Sequence, residues 1–128
     1  MADKMRAVAV TGERTVAIIR MERPEPKENE IQIRIRNCAL CTWEQRVFIG
    51  EKKVPLPMVG GHEISGEISA IGVDVDPEEY PIGAHVAARL VKACNSCYYC
   101  RRGEPTQCVE LKTFLLNGPE VYGMGGLA

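Results

Sequence analysis

Between Cys94 and Cys108, four cysteines follow the spacing Cys-x2-Cys-x2-Cys-x7-Cys, and no other feature restricts the structure of this 128-residue chain so tightly. The short spacers hold three sulfurs together. The longer one lets the chain return to close a tetrahedral shell, with Zn–S of ~2.3 Å. Such a shell has no open position, so it orders a loop and does no chemistry. Residues 92–110 show little hydrophobic periodicity, and metal binding would supply the ordering energy that a core does not. Two other uses of cysteine compete. A bacterial ferredoxin run needs its fourth Cys after three residues, followed by Pro. Here Cys108 comes after seven and precedes Val109. Disulfides belong to oxidising compartments. The segment Met1 to Val10 has only a four-residue apolar stretch, too short for an export signal. The expected compartment is the cytoplasm, and Cys94, Cys97, Cys100 and Cys108 read as structural zinc ligands.

The rest of the chain reads as one mostly-β domain. Residues 5–10 and 15–20 are short β-branched segments around Thr11-Gly12-Glu13-Arg14, the pattern of a hairpin. Ile31, Ile33 and Ile35 alternate with Gln32, Arg34 and Arg36, a strand with one buried face. Residues 37–48 form a Cys-rich turn with one or two helical turns. Residues 62–71 and 84–91 read as further strands. Val54-Pro-Leu-Pro57 and residues 72–83 are loops, because closely spaced prolines fit neither helix interiors nor central strands. Many short strands with 12 Gly and 8 Pro suggest a barrel or sandwich. Net charge is −1, with 11 basic and 8 acidic residues in 1–60 against 5 and 9 in 61–128. That balance argues against binding nucleic acid or anionic lipid by bulk attraction, and no apolar run is long enough for a membrane span.

A second constellation joins Cys41 to Gly60-Gly61-His62-Glu63. A thiolate and an imidazole could be two of the three protein ligands of an open catalytic zinc. On spacing alone the signal is weak, and a packed or solvated role is the commoner one for a lone Cys and a lone His. Cys38 makes Cys38-x2-Cys41 and could be apolar filling at a strand end.

Taken together, these residues resemble the N-terminal GroES-like portion of a zinc-dependent medium-chain alcohol/polyol dehydrogenase. The match runs in order through Cys38-Ala-Leu-Cys41, then Pro57-Met-Val-Gly-Gly-His62-Glu63-Ile-Ser-Gly66, on to Gly72, then Pro81-Ile-Gly83-Ala-His-Val86, and finally the four-cysteine lobe. It covers nearly all of residues 5–128. The resemblance implies a partly open β-barrel with short helices and a four-cysteine zinc lobe. It implies that Cys41 and His62 hold a catalytic zinc, that Glu63 sits beside the metal as a further donor, and that Glu44 orients His62. Cys38 matches a family cysteine that is not a ligand. In the whole enzyme, zinc would act as a Lewis acid on an alcohol or polyol oxygen, and hydride would pass to NAD or NADP. The implied partners are a small-molecule substrate, with neither nucleic acid nor membrane; a homo-oligomer is compatible with the pattern.

Several departures qualify this. Family members usually carry Ser or Thr two residues after the ligand Cys, where this chain has Trp43. Many carry His where this chain has Arg46, which cannot shuttle a proton. Thr42 is a hydroxyl one residue nearer, and the sequence gives it no role. Trp43 could line a pocket or pack in a core. The third zinc ligand and the nucleotide-binding Rossmann domain are absent from residues 1–128. Gly123-Met-Gly125-Gly-Leu-Ala128 fits G-x-G-x-x-A only superficially, because no clear strand leads into it. It reads as a glycine turn. The expected function is the zinc-binding portion of an NAD(P)-dependent dehydrogenase, inactive alone. The alternative is a zinc-stabilised β module that binds a partner without catalysis.

Overall fold

A computed structural model of the chain describes residues 4–88, 91–110, 112–113, 116–117, 122–123 and 125–128. Strands β1 (Lys4–Gly12) and β2 (Thr15–Glu22) form the expected antiparallel hairpin, with Val8 opposite Ile18 and Val10 opposite Val16. Arg14 takes positive φ at the turn, and the Thr15 hydroxyl donates to the Glu13 carbonyl. β3 (Ile31–Ala39), β5 (Glu63–Ile71) and β6 (His85–Ala88) make a second antiparallel sheet. The sequence pattern of β3 holds: Arg34 and Arg36 are exposed, while Ile31, Ile33 and Ile35 are half-buried. The expected strand 84–91 appears as β6 and as β7 (Val91–Lys92), with residues 89–90 outside the described set.

Short elements went unseen in the sequence because two residues cannot show a period. β4 (Met58–Val59) comes directly after the proline loop. It joins β1 through Val10 and Met58 and runs parallel to β10 (Tyr122–Gly123). With β9 (Leu116–Asn117), the first sheet is ordered β2-β1-β4-β10-β9. β7 and β8 (Lys112–Thr113) form a separate two-stranded ladder. The fold is thus mostly β, as expected for a GroES-like domain, and its described strands form three sheets and not one closed barrel.

The core is small and divides in two. Ala7, Ala9 and Val59 are packed by Ile19, Met21, Leu127 and Ala128. Val10, Val47 and Met58 are packed by Trp43 and Val54. Met58 and Val59 are both 0% exposed, so the two-residue β4 anchors both clusters. Burying side chains of this size contributes about 1.5–3 kcal/mol each. Helix α1 (Thr42–Phe48) lies across this second cluster, with Val47 and Glu44 turned inward three residues apart.

The C-terminal glycine segment closes the first sheet. Gly125, Gly126 and Leu127 donate their N–H groups to the carbonyls of Val59, Gly61 and Gly60 at 3.0, 3.0 and 3.1 Å. Val8 donates to Leu127 O at 2.8 Å. Contrary to the sequence reading, a strand, β10, does lead into this segment. The reading of a turn stands. Its amides are taken by the chain segment that precedes His62, so they do not cradle a phosphate.

Candidate metal centres

Two groups of donors come together. In the lobe, Cys97 precedes the four-residue helix α2 (Tyr98–Arg101), and Cys108 comes after a 3-10 turn at Pro105–Gln107. These tight turns replace hydrophobic periodicity as the ordering device. The four sulfurs lie within 4.8 Å of one another, with Cys97 and Cys100 at 3.5 Å and Cys94 and Cys100 at 3.9 Å. Backbone amides point at them: Cys97 N–H to Cys94 Sγ at 3.3 Å, Cys94 N–H to Cys108 Sγ at 3.3 Å, and Glu110 N–H to Cys108 Sγ at 3.4 Å.

These contacts polarise the group. The Ser96 hydroxyl, then the amides of Ser96 and Cys97, pull the Cys94 thiol down to about 6. Amides from Cys100 and Val109 lower Cys97. Burial, then the neighbouring thiols, push Cys100 up to about 12. Four adjacent sulfurs cannot all carry charge without a cation among them, and a divalent ion reverses that penalty. The donor set therefore fits zinc.

The second group is assembled across the fold. β3 is irregular between Ile35 and Asn37, after which Cys38 pairs with Ile64 and Ala39 with Glu63. Such a bulge re-aims the side chains beyond it. The chain then turns at Cys41 into α1, so Cys41 arrives beside the start of β5. Donor atoms of Cys41, His62 and Glu63 lie within 4.8 Å of one another. Glu63 is exposed, and Cys41 and His62 are partly buried.

Glu44 sets the geometry of this group. It is only 5% exposed, and its Oε1 accepts from Gly61 N–H at 3.0 Å and sits 2.9 Å from His62 Nδ1. A carboxylate oxygen there accepts the Nδ1 proton, which leaves Nε2 as the donor toward a metal. Glu44 Oε2 is buried without a partner among the described residues. The Gly60-Gly61 pair, to which sequence reasoning gave no role, makes this contact possible. A Cβ on Gly60 would stand 2.8 Å from Glu44 Cγ. Gly61 has φ +90°, and its Cβ would meet Cys38 Sγ at 2.6 Å. Adjacent glycines directly before a candidate ligand were the available signal.

The remaining sequence candidates fall outside this group. Cys38 is not among its donors, and burial pushes its thiol up. Trp43 packs on the Val10–Val47–Met58 cluster with Lys52 Nζ 5.6 Å from its ring centre, so the core role prevails over the pocket. Arg46 is exposed and reaches Glu51 at 4.0 Å. His85 is exposed beside Glu67 at 3.8 Å. Arg102 lies over Tyr98, on the lobe surface.

Known proteins share this arrangement of strands. The model of the alcohol dehydrogenase GroES-like domain matches residues 27–128, and the chain belongs to that family. It is similar to D-arabinitol dehydrogenase 1 of Uromyces fabae, with 29% identity covering 90% of this chain and 33% of the relative. Among solved structures it resembles galactitol-1-phosphate dehydrogenase of Escherichia coli, with TM-score 0.78, 26% identity, and coverage of 97% of this chain and 34% of that one. It also resembles the alcohol dehydrogenase RspB of Escherichia coli CFT073, solved with NADH, with TM-score 0.69, 29% identity, and coverage of 86% and 32%. The chain spans about a third of the length of these relatives.

Proposed function

We propose that residues 1–128 form the metal-binding, substrate-facing unit of a zinc-dependent, NAD(P)-linked dehydrogenase that oxidises an alcohol or polyol. One observation carries this reading: a closed four-thiol group is paired with a separate Cys–His–Glu group whose imidazole is already oriented by a buried carboxylate. A mixed three-donor group leaves a coordination position open, as catalysis requires and a structural site does not. Zinc bound there would supply Lewis-acid polarisation of a substrate oxygen.

The chain's own residues do the positioning. Glu44 fixes the tautomer of His62, Gly60 and Gly61 let the backbone approach Glu44, and the Gly125–Leu127 turn holds that backbone from behind. Glu63 brings an oxygen donor at the exposed side. The names of two similar proteins favour a polyol or polyol phosphate as substrate, and NADH in the third favours a nicotinamide acceptor. The Gly125, Gly126 and Leu127 amides are taken by the carbonyls of Val59, Gly61 and Gly60, so this glycine turn would not serve the dinucleotide. Among the described residues no helix is long and apolar enough to cross a membrane.

Metal counting tests the proposal. Zinc-reconstituted protein should hold near two ions per chain, and the Cys41–His62–Glu63 ion should leave first to a mild chelator. One ion per chain, unchanged by Cys41→Ser, would leave only a zinc-stabilised binding module.

A further inference from the structure

The Thr42 hydroxyl lies beside the sulfur of Cys41, with Oγ1 3.9 Å from Sγ and either group able to donate. Cys41 is the residue before the first turn of α1, and its side chain caps no backbone group. The sulfur is therefore free for other contacts. Nearby Trp43, Glu44 and Arg46 are engaged elsewhere: Trp43 in the core cluster, Glu44 on Gly61 and His62, Arg46 on Glu51. Thr42 is exposed, and Cys41 is the side-chain partner the structure gives it.

We propose that Thr42 is a positioning residue for Cys41, donating its O–H to the sulfur when Cys41 serves as a thiolate ligand. This depends on the Cys41–His62–Glu63 group holding a metal, the reading proposed above. The physical basis is the strengthening of a hydrogen bond when its acceptor becomes charged. A 3.9 Å contact is long for a neutral thiol, and it tightens as charge builds on the sulfur. The bond draws charge from the thiolate and fixes the direction of its remaining lone pairs. Outer partners of metal ligands orient those ligands and tune the metal. Cys41 and His62 thus each have a partner one step out: a hydroxyl for the soft ligand and a carboxylate for the imidazole.

Cobalt(II) added to the 128-residue chain is the probe, because sulfur-to-cobalt charge transfer reports the electron density on a ligating thiolate. The four-cysteine lobe absorbs too, so the signal is the difference between wild type and Cys41→Ser. Thr42→Val should move that difference band to longer wavelength and weaken cobalt binding at this site by about 10-fold. Thr42→Ser should restore both, and the lobe's own bands report that the variants are folded. Thr42→Ala, smaller and equally without a hydroxyl, serves if the valine does not fold. A valine or alanine variant with wild-type band and affinity overturns the role of Thr42 while the centre stands. No difference band at all between wild type and Cys41→Ser overturns the centre, and Thr42's role with it.

Discussion

The two donor groups reach similar compactness by opposite routes. The lobe takes four identical ligands from one stretch of chain, bent by α2 and a 3-10 turn, with backbone amides turned onto the sulfurs. The Cys41–His62–Glu63 group takes three different ligands from both sides of the β3–β5 pairing, and its order comes from sheet register, a bulge and a buried carboxylate. The first group is gathered by local turns that a bound metal would lock; the second is placed by the fold. Chemistry depends on this difference. A site that closes its own shell is inert, whereas one built on a rigid frame can leave a position open.

The largest effect should come from breaking the lobe. Cys97→Ser removes a ligand from a segment whose only described buried residues are Ala93 and Cys108. The variant should lose about one zinc, and amides of residues 94–108 should exchange like unfolded chain, because binding energy there is folding energy. The β1–β2 and β3–β5 amides should stay protected. Zinc analysis and hydrogen exchange by mass spectrometry read both parts. Collapse of the sheets along with the lobe would mean that the two regions share one folding unit.

The same contrast explains what the sequence could reveal. The lobe was legible from spacing alone, since all its geometry is local. The isoleucine alternation of β3 and the β1–β2 hairpin were legible from period. The nearness of Cys41 to His62 was not, because it depends on the Ala39–Glu63 pairing and the bulge before it; only the family resemblance supplied it. β4 was missed for its length, although Met58 and Val59 are both fully buried. The role of Trp43 was undecidable, since a wide ring serves a pocket or a core equally well until its neighbours Val10 and Met58 are known.

The next effect sharpens the comparison from the other side. Glu44→Gln keeps the shape of the side chain, but its amide can no longer offer a carboxylate to both Gly61 N–H and His62 Nδ1. Loss of such an outer partner typically costs about 10–100-fold in metal affinity. Chelator competition should show that loss at the second site and none at the lobe. Equal weakening at both sites would mean that Glu44 acts through global stability instead of through His62.

The smallest effect lies outside both centres and serves as their control. Arg36 hydrogen-bonds both carboxylate oxygens of Glu67, at 3.1 and 3.2 Å. That hydrogen bond first, and the positive charge of Arg36 with it, holds Glu67 below its ordinary carboxylate value of 4.5. A carboxyl group with a depressed folded pKa stabilises the native state above its unfolded pKa, and this contribution fades as pH falls through the folded value. The pair faces solvent, so salt screens it and the effect is small. Glu67→Gln should lower the thermal midpoint slightly at pH 7, and the two proteins should converge as pH falls through the depressed folded value of Glu67, where wild type loses the charge as well. Zinc content of both centres should match wild type at pH 7, since Glu67 touches neither donor group. A midpoint difference that persists undiminished at low pH would show that the side chain packs and does not pair. A loss of zinc from the Cys41–His62–Glu63 group alone would show that this group responds to charge along β5 beyond its immediate partners, so that the frame is less rigid than the contrast with the lobe requires.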